Sequence, residues 1–69
     1  MDTTELTKRF TYRAPKNDQG DRYVIIRTAA ANFAHVINNN TPDSREKSLA
    51  ITSLEEVVHW ANASIARNE

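Results

Sequence analysis

Thr41 to Arg67 reads T-P-D-S-R-E-K-S-L-A-I-T-S-L-E-E-V-V-H-W-A-N-A-S-I-A-R, and no Gly or Pro interrupts it after Pro42. Apolar side chains recur along it at helical spacing. Thr41 has the hydroxyl to cap a first turn, and Pro42 suits the first helical position, where its missing N–H costs nothing. Asp43 and Glu46 then favour the positive end of the helix dipole. The expected helix is roughly 40 Å long at 1.5 Å per residue, the full reach of a small domain. Whatever else the chain forms must be built against it.

The remaining length is short. Sixty-nine residues make a single domain over 1–69, and a chain of this size buries only about 60% of its unfolded surface. Such chains rely on disulfides, a metal or oligomerisation. Cysteine is absent, which excludes the first and any thiolate metal site. His35 and His59 do not stand at a HExxH-type spacing, so no metal or other cofactor is expected. Oligomerisation is the remedy left. Nine basic and nine acidic residues cancel, which argues against a partner that is a DNA or RNA polymer, since duplex binding draws on a basic surface. No apolar run approaches the ~20 residues of a membrane span, and the first nine residues have no apolar signal core. A cytosolic protein with no membrane partner is expected.

In chain order, residues 1–17 read as an arm and loop, polar up to Arg9 and extended over Phe10–Pro15, where the aromatics alternate and Pro15 turns Ala14 away from helix. Lys16–Gly20 reads as a turn, with Asn17 or Asp18 able to cap a helix after it. A first helix is expected over about 18–38. Its main stripe is Tyr23, Ile26, Ala30, Phe33 and Ile37 at 3-4 spacing, with a weaker stripe through Ile25, Ala29 and Val36. Asn38–Asn40 should end it. The second helix, over about 42–67, carries Ala50, Leu54, Val57, Ala61 and Ile65 on one face and Ile51, Val58 and Trp60 on a shoulder. The short link makes the pair an antiparallel hairpin. The fold class is therefore all-α: a two-helix hairpin with an extended N-terminal arm. Each helix keeps a second apolar stripe that a lone hairpin leaves uncovered, so assembly into a homo-oligomeric bundle is expected. Neither a glycine-rich phosphate loop nor a paired-carboxylate spacing is present, and Ser44, Ser48, Ser53 and Ser64 have no His placed as a base. No enzymatic site is expected.

Three features carry a resemblance: F-T-Y-R-A-P (Phe10–Pro15) ahead of a helix, the basic residue Arg27 fifteen positions after Tyr12, and the block Pro42–Glu69. Together they resemble the phage anti-CBASS cyclic-oligonucleotide sponges, which share a hairpin domain with a class of Thoeris anti-defence proteins. The resemblance implies a homo-oligomer, typically a hexamer built as a trimer of dimers. It implies binding of cyclic di- and trinucleotide immune signals, such as cyclic GMP-AMP and cyclic tri-AMP, without cleavage, in the cytoplasm of the infected bacterial host. Tyr12 falls where the family places a base-stacking aromatic. Arg27 falls where the family has Lys facing the phosphates, and the change keeps charge but alters geometry. Arg13 and Thr28 are the supporting candidates. Arg45 and Arg67 are the candidates for a separate trinucleotide site around an oligomer axis. Other classes are a structural or adaptor hairpin that binds a host or phage protein, a signal-degrading enzyme, and a helix-turn-helix DNA binder.

Overall fold

The computed structural model describes all residues 1–69 and contains three helices: α1 (Thr3–Phe10), α2 (Gln19–Asn40) and α3 (Arg45–Asn68), with no strand. α2 and α3 form the hairpin. The molecule measures 45 × 30 × 13 Å. Its thinnest dimension is close to one helix diameter of about 10–12 Å, so the helices lie in a single layer. A layer of this kind has no interior. No apolar residue is fully buried, and Gln19, at 4% exposure, is the one residue that is. The radius of gyration is 15.3 Å, against about 11 Å for a compact chain of this length. The accessible surface is 5479 Å², about 1,100 Å² more than the roughly 4,400 Å² a folded monomer of this size leaves exposed.

Residues 3–10, expected as part of an extended arm, are helical. Asp2 caps them by accepting from the Thr4 N–H at 3.3 Å, and Glu5 pairs with Arg9 at 3.2 Å, one turn on. Asp2 and Glu5 stand at capping-box spacing, and these local interactions form α1 with little apolar help: Leu6 is half exposed and Phe10 is 84% exposed. The extended part of the arm runs over 11–16, one residue later than expected, because α1 takes in Phe10. Asn17 then takes a left-handed backbone (φ 52°), which Asn tolerates, and the chain turns into α2.

The link between the long helices also differs from expectation. Asn38–Asn40 continue α2 rather than ending it. The reason is that side chains take over the last turn's free carbonyls: Asn40 Nδ2 donates to Val36 O and Thr41 Oγ1 to Ile37 O, both at 2.7 Å. Thr41 is thus the C-cap residue of α2, and α3 begins at Arg45 with Ser44 as its cap, accepting from the Lys47 N–H at 3.1 Å. Pro42 sits in the turn, where Pro commonly follows a helix end. Lys47 Nζ ties the turn together, donating to Asn38 O at 2.9 Å and to Asp43 Oδ1 at 3.2 Å.

The seam between α2 and α3 is a half-buried stripe: Tyr23, Ile26, Ala30, Ala34 and Ile37 face Ile51, Leu54, Val58, Ala61 and Ile65. Ile51 and Val58, expected on a shoulder, occupy the seam. Ala50 and Val57 lie one residue, or 100° of helix, away and are exposed. Phe33 is likewise outside the seam at 55% exposure, and Ala34 takes its place. One face of the layer therefore carries Ile25, Ala29, Phe33 and Val36 with Ala50 and Val57, all exposed. The opposite face carries an apolar groove of about 430 Å³ lined by Ala30, Ala31, Ala34, Ile51, Leu54 and Val58, with Arg27, Glu55 and His59 at its rim. Both faces of the layer are apolar and uncovered.

Candidate functional site: an arginine cleft at one end of the hairpin

At the end of the hairpin where the arm docks, a cleft of about 490 Å³ opens between the three helices. Arg9 comes from the last turn of α1, Thr11 and Arg13 from the extended segment, Tyr23 and Arg27 from successive turns of α2, and His59, Asn62 and Arg67 from α3. Ala63 and Ala66 floor it; their small side chains keep it open. Four guanidinium groups line this cleft and no carboxylate does. Arg9 is paired with Glu5 and Arg13 Nη1 donates to Lys8 O at 3.0 Å, while Arg27 and Arg67 have no acidic partner within 4.0 Å. Like charges gathered around one cavity repel, and a bound anion relieves that repulsion. Guanidinium forks match phosphate oxygens in bidentate fashion and also stack on flat rings. Asn62 adds an amide whose Oδ1 has no hydrogen-bond partner.

Of the residues singled out in the sequence, the structure brings Arg13, Arg27 and Arg67 together in this cleft. Arg67, expected at a separate site, shares it with the other two. Tyr12 does not line the cleft; it is 86% exposed although its neighbours Thr11 and Arg13 both face inward. Alternate side chains of an extended segment point to opposite sides, so Tyr12 projects away from its own cleft. Thr28 is exposed beside Arg27, and its side chain lies outside the cleft. Arg45 is at the far end of α3, about 33 Å from Arg67 at 1.5 Å per residue, so one chain does not combine them. Arg9, His59 and Asn62 are lining residues that the sequence did not single out. His59 and Asn62 stand three residues apart on α3, but no spacing joins them to Arg9 of α1, which they meet only through the fold.

A second cluster fixes the arm beside the cleft. The Glu69 carboxylate accepts from both terminal nitrogens of Arg22, with Nη1 at 2.8 Å, and from Gln19 Nε2 at 3.2 Å. The pairing with Arg22 and Gln19 lowers the Glu69 pKa to about 2 and raises that of Arg22. Asp18 adds a second carboxylate to Arg22 at 3.2 Å. Lys16 Nζ donates to Glu69 O at 2.6 Å, and Lys8 Nζ to Asn68 Oδ1 at 3.1 Å.

The model of the hairpin domain named Acb2/Tad1 matches residues 2–66. The chain belongs to the Acb2/Tad1 hairpin-domain family. The match takes in α1 and the arm as well as both long helices, so nearly every element that lines the cleft lies within the Acb2/Tad1 domain. This is the anti-defence sponge family that the sequence resembles, a family of binding proteins rather than enzymes. No curated protein and no solved structure matches the chain. No helix is long and apolar enough to cross a membrane.

Proposed function

We propose that this protein is a phage anti-defence sponge that binds cyclic di- and trinucleotide immune signals in the infected host's cytoplasm and holds them intact, so that the bacterial effector stays inactive. The carboxylate-free cleft of four arginines carries the reading. A cyclic dinucleotide is a dianion with two flat bases. It requires positive forks at the phosphates and planar groups at the bases, the latter worth about 1–3 kcal/mol each. Arg27 serves the phosphates, with Arg13 beside it. Tyr12, turned outward from its own chain, stacks on a base held by a neighbouring copy, and Thr28 supports it from the exposed edge of α2. Arg67 and Arg45 serve the trinucleotide class, each converging with its own copies around an axis of the assembly.

The assembly is part of the proposal. A single layer with two uncovered apolar faces and about 1,100 Å² of surplus surface has more to bury than the roughly 800 Å² per partner of a standard interface. A homo-oligomer covers both faces, and a hexamer arranged as a trimer of dimers is the form we infer from the family. A second reading, an adaptor hairpin whose apolar groove takes a host or phage protein, has the same exposed faces in its favour but leaves the arginine cleft without a role.

Calorimetric titration with a panel of cyclic di- and trinucleotides tests the site. Tyr12→Ala and Arg27→Ala should each abolish dinucleotide binding while the oligomer persists. Normal binding by both variants would place the pocket elsewhere.

A further inference from the structure

We propose that Glu69 is the positioning residue of the ligand-binding end: its carboxylate and backbone oxygen hold the 11–16 segment in place and so set where Tyr12 and Arg13 stand. The arm has no apolar anchor, since Phe10 and Tyr12 are 84% and 86% exposed. Hydrogen bonds must hold it instead. Every side-chain hydrogen bond that spans more than nine residues ends on Asn68 or Glu69. Lys16 is gripped twice, through Nζ to Glu69 O at 2.6 Å and through its N–H to Gln19 Oε1 at 3.1 Å. Gln19 in turn donates to the Glu69 carboxylate, and it is the one buried residue in the chain. The end of α3, the start of α2 and the end of the arm thus meet on one residue, Gln19 and Arg22 at its carboxylate and Lys16 at its backbone oxygen. Arg22, bound to the same group, keeps that carboxylate ionised.

The location gives the proposal a test of sign. Glu69 lines a recess of about 640 Å³ that shares Arg13 and Arg67 with the arginine cleft. If Glu69 acted only as a nearby negative charge, neutralising it would tighten the binding of an anion. A positioning role has the opposite effect, because loosening Gln19, which holds the Lys16 N–H, lets Tyr12 and Arg13 leave their places, and ordering them again opposes binding. The ligand half of this inference rests on the sponge reading; the structural half does not.

Glu69→Gln keeps the size of the side chain and removes its charge. With helix content unchanged by circular dichroism, the first tryptic cuts after Arg13 and Lys16, identified by mass spectrometry, should appear several-fold faster than in wild type. Affinity for a cyclic dinucleotide should fall several-fold, Glu69→Asp should recover part of it, and Glu46→Gln, a carboxylate at the other end of α3, should change neither readout. Should Glu69→Gln lose its helices, Lys16→Gln, which removes the Nζ link to Glu69 O along with its own tryptic site, decides by the cut after Arg13 and by the affinity. Unchanged cleavage, or tighter dinucleotide binding in Glu69→Gln, overturns the positioning role. If wild type binds no cyclic nucleotide at all, the sponge reading fails and the cleavage rates alone still decide the clasp.

Discussion

Phe33 offers a direct way to weigh the uncovered face. It stands outside the α2–α3 seam at 55% exposure, on the face that also presents Ile25, Val36 and Val57. A Phe side chain carries about 200 Å² of surface, so about 110 Å² of it is free to be covered by another copy. At about 25 cal/mol per Å² this is worth about 2.7 kcal/mol. Truncation to Ala retains part of that area, which leaves a loss of about 2 kcal/mol per copy. In a two-fold interface the residue counts from both sides, so Phe33→Ala should weaken the dimer step by about 4 kcal/mol, or about 10³-fold in dissociation constant. Sedimentation velocity over a dilution series reads this as a lower mass at a given concentration. Because no apolar residue is buried within one chain, helix content should fall together with the mass on dilution. A Phe33→Ala protein with the wild-type mass across the whole series, or a wild-type monomer that keeps its helices on dilution, would refute the claim that these faces are covered by further copies.

Other perturbations have definite outcomes. Ser44→Ala removes the cap that accepts from Lys47 N–H and should cost about 1 kcal/mol, a drop of about 5 °C in the thermal midpoint of a chain this size. For pH, the folded pKa of Glu69 lies below its ordinary value, so the clasp contributes stability that is fully present above about pH 4.5 and is lost as pH falls toward about 2. The wild-type midpoint should therefore drop more steeply than that of Glu69→Gln over this window, and parallel curves would contradict it. For salt, raising ionic strength from about 0.1 to about 1 M shortens the screening length from about 10 to about 3 Å. Dinucleotide affinity at the open arginine cleft should fall several-fold, and a salt-independent affinity would speak against phosphate recognition there.

The two long helices were legible because Tyr23–Ile37 and Leu54–Ile65 repeat at helical spacing over many turns. Their faces were harder to assign. Val57 and Val58, or Ala50 and Ile51, are adjacent apolar positions 100° apart, and periodicity does not say which turns inward. Packing chose the bulkier Ile51 over Ala50 and Val58 over Val57 for the seam, and placed Ala34 rather than Phe33 where α2 passes α3. The start of α3 is ambiguous in the sequence because Thr41-Pro42 and Ser44 both have the chemistry of a helix start, and the carbonyls of Ile37 and Val36 claim Thr41 and Asn40 for the end of α2. α1 has little signal in the sequence beyond the capping-box spacing of Asp2 and Glu5, since Leu6 and Phe10 give almost no apolar periodicity. Tyr12, Arg13 and Arg27 stand out through family resemblance, whereas the meeting of Arg9 and Arg13 with Arg27 and Arg67 in one cleft depends on three parts of the chain distant in sequence, the arm, α2 and α3. Glu69 had no signal beyond its charge, because its partners Lys16, Gln19 and Arg22 are about fifty residues away.

The central claim is that the arginine cleft holds a cyclic oligonucleotide and releases it unchanged. Native mass spectrometry of the assembled protein, incubated with cyclic di- and trinucleotides and then denatured, measures both halves of it. The predicted result is a mass shift equal to whole ligands on an oligomer, with ligand of unaltered mass recovered after denaturation. An oligomer that takes up none of the panel, or ligand recovered as cleaved product, would contradict it.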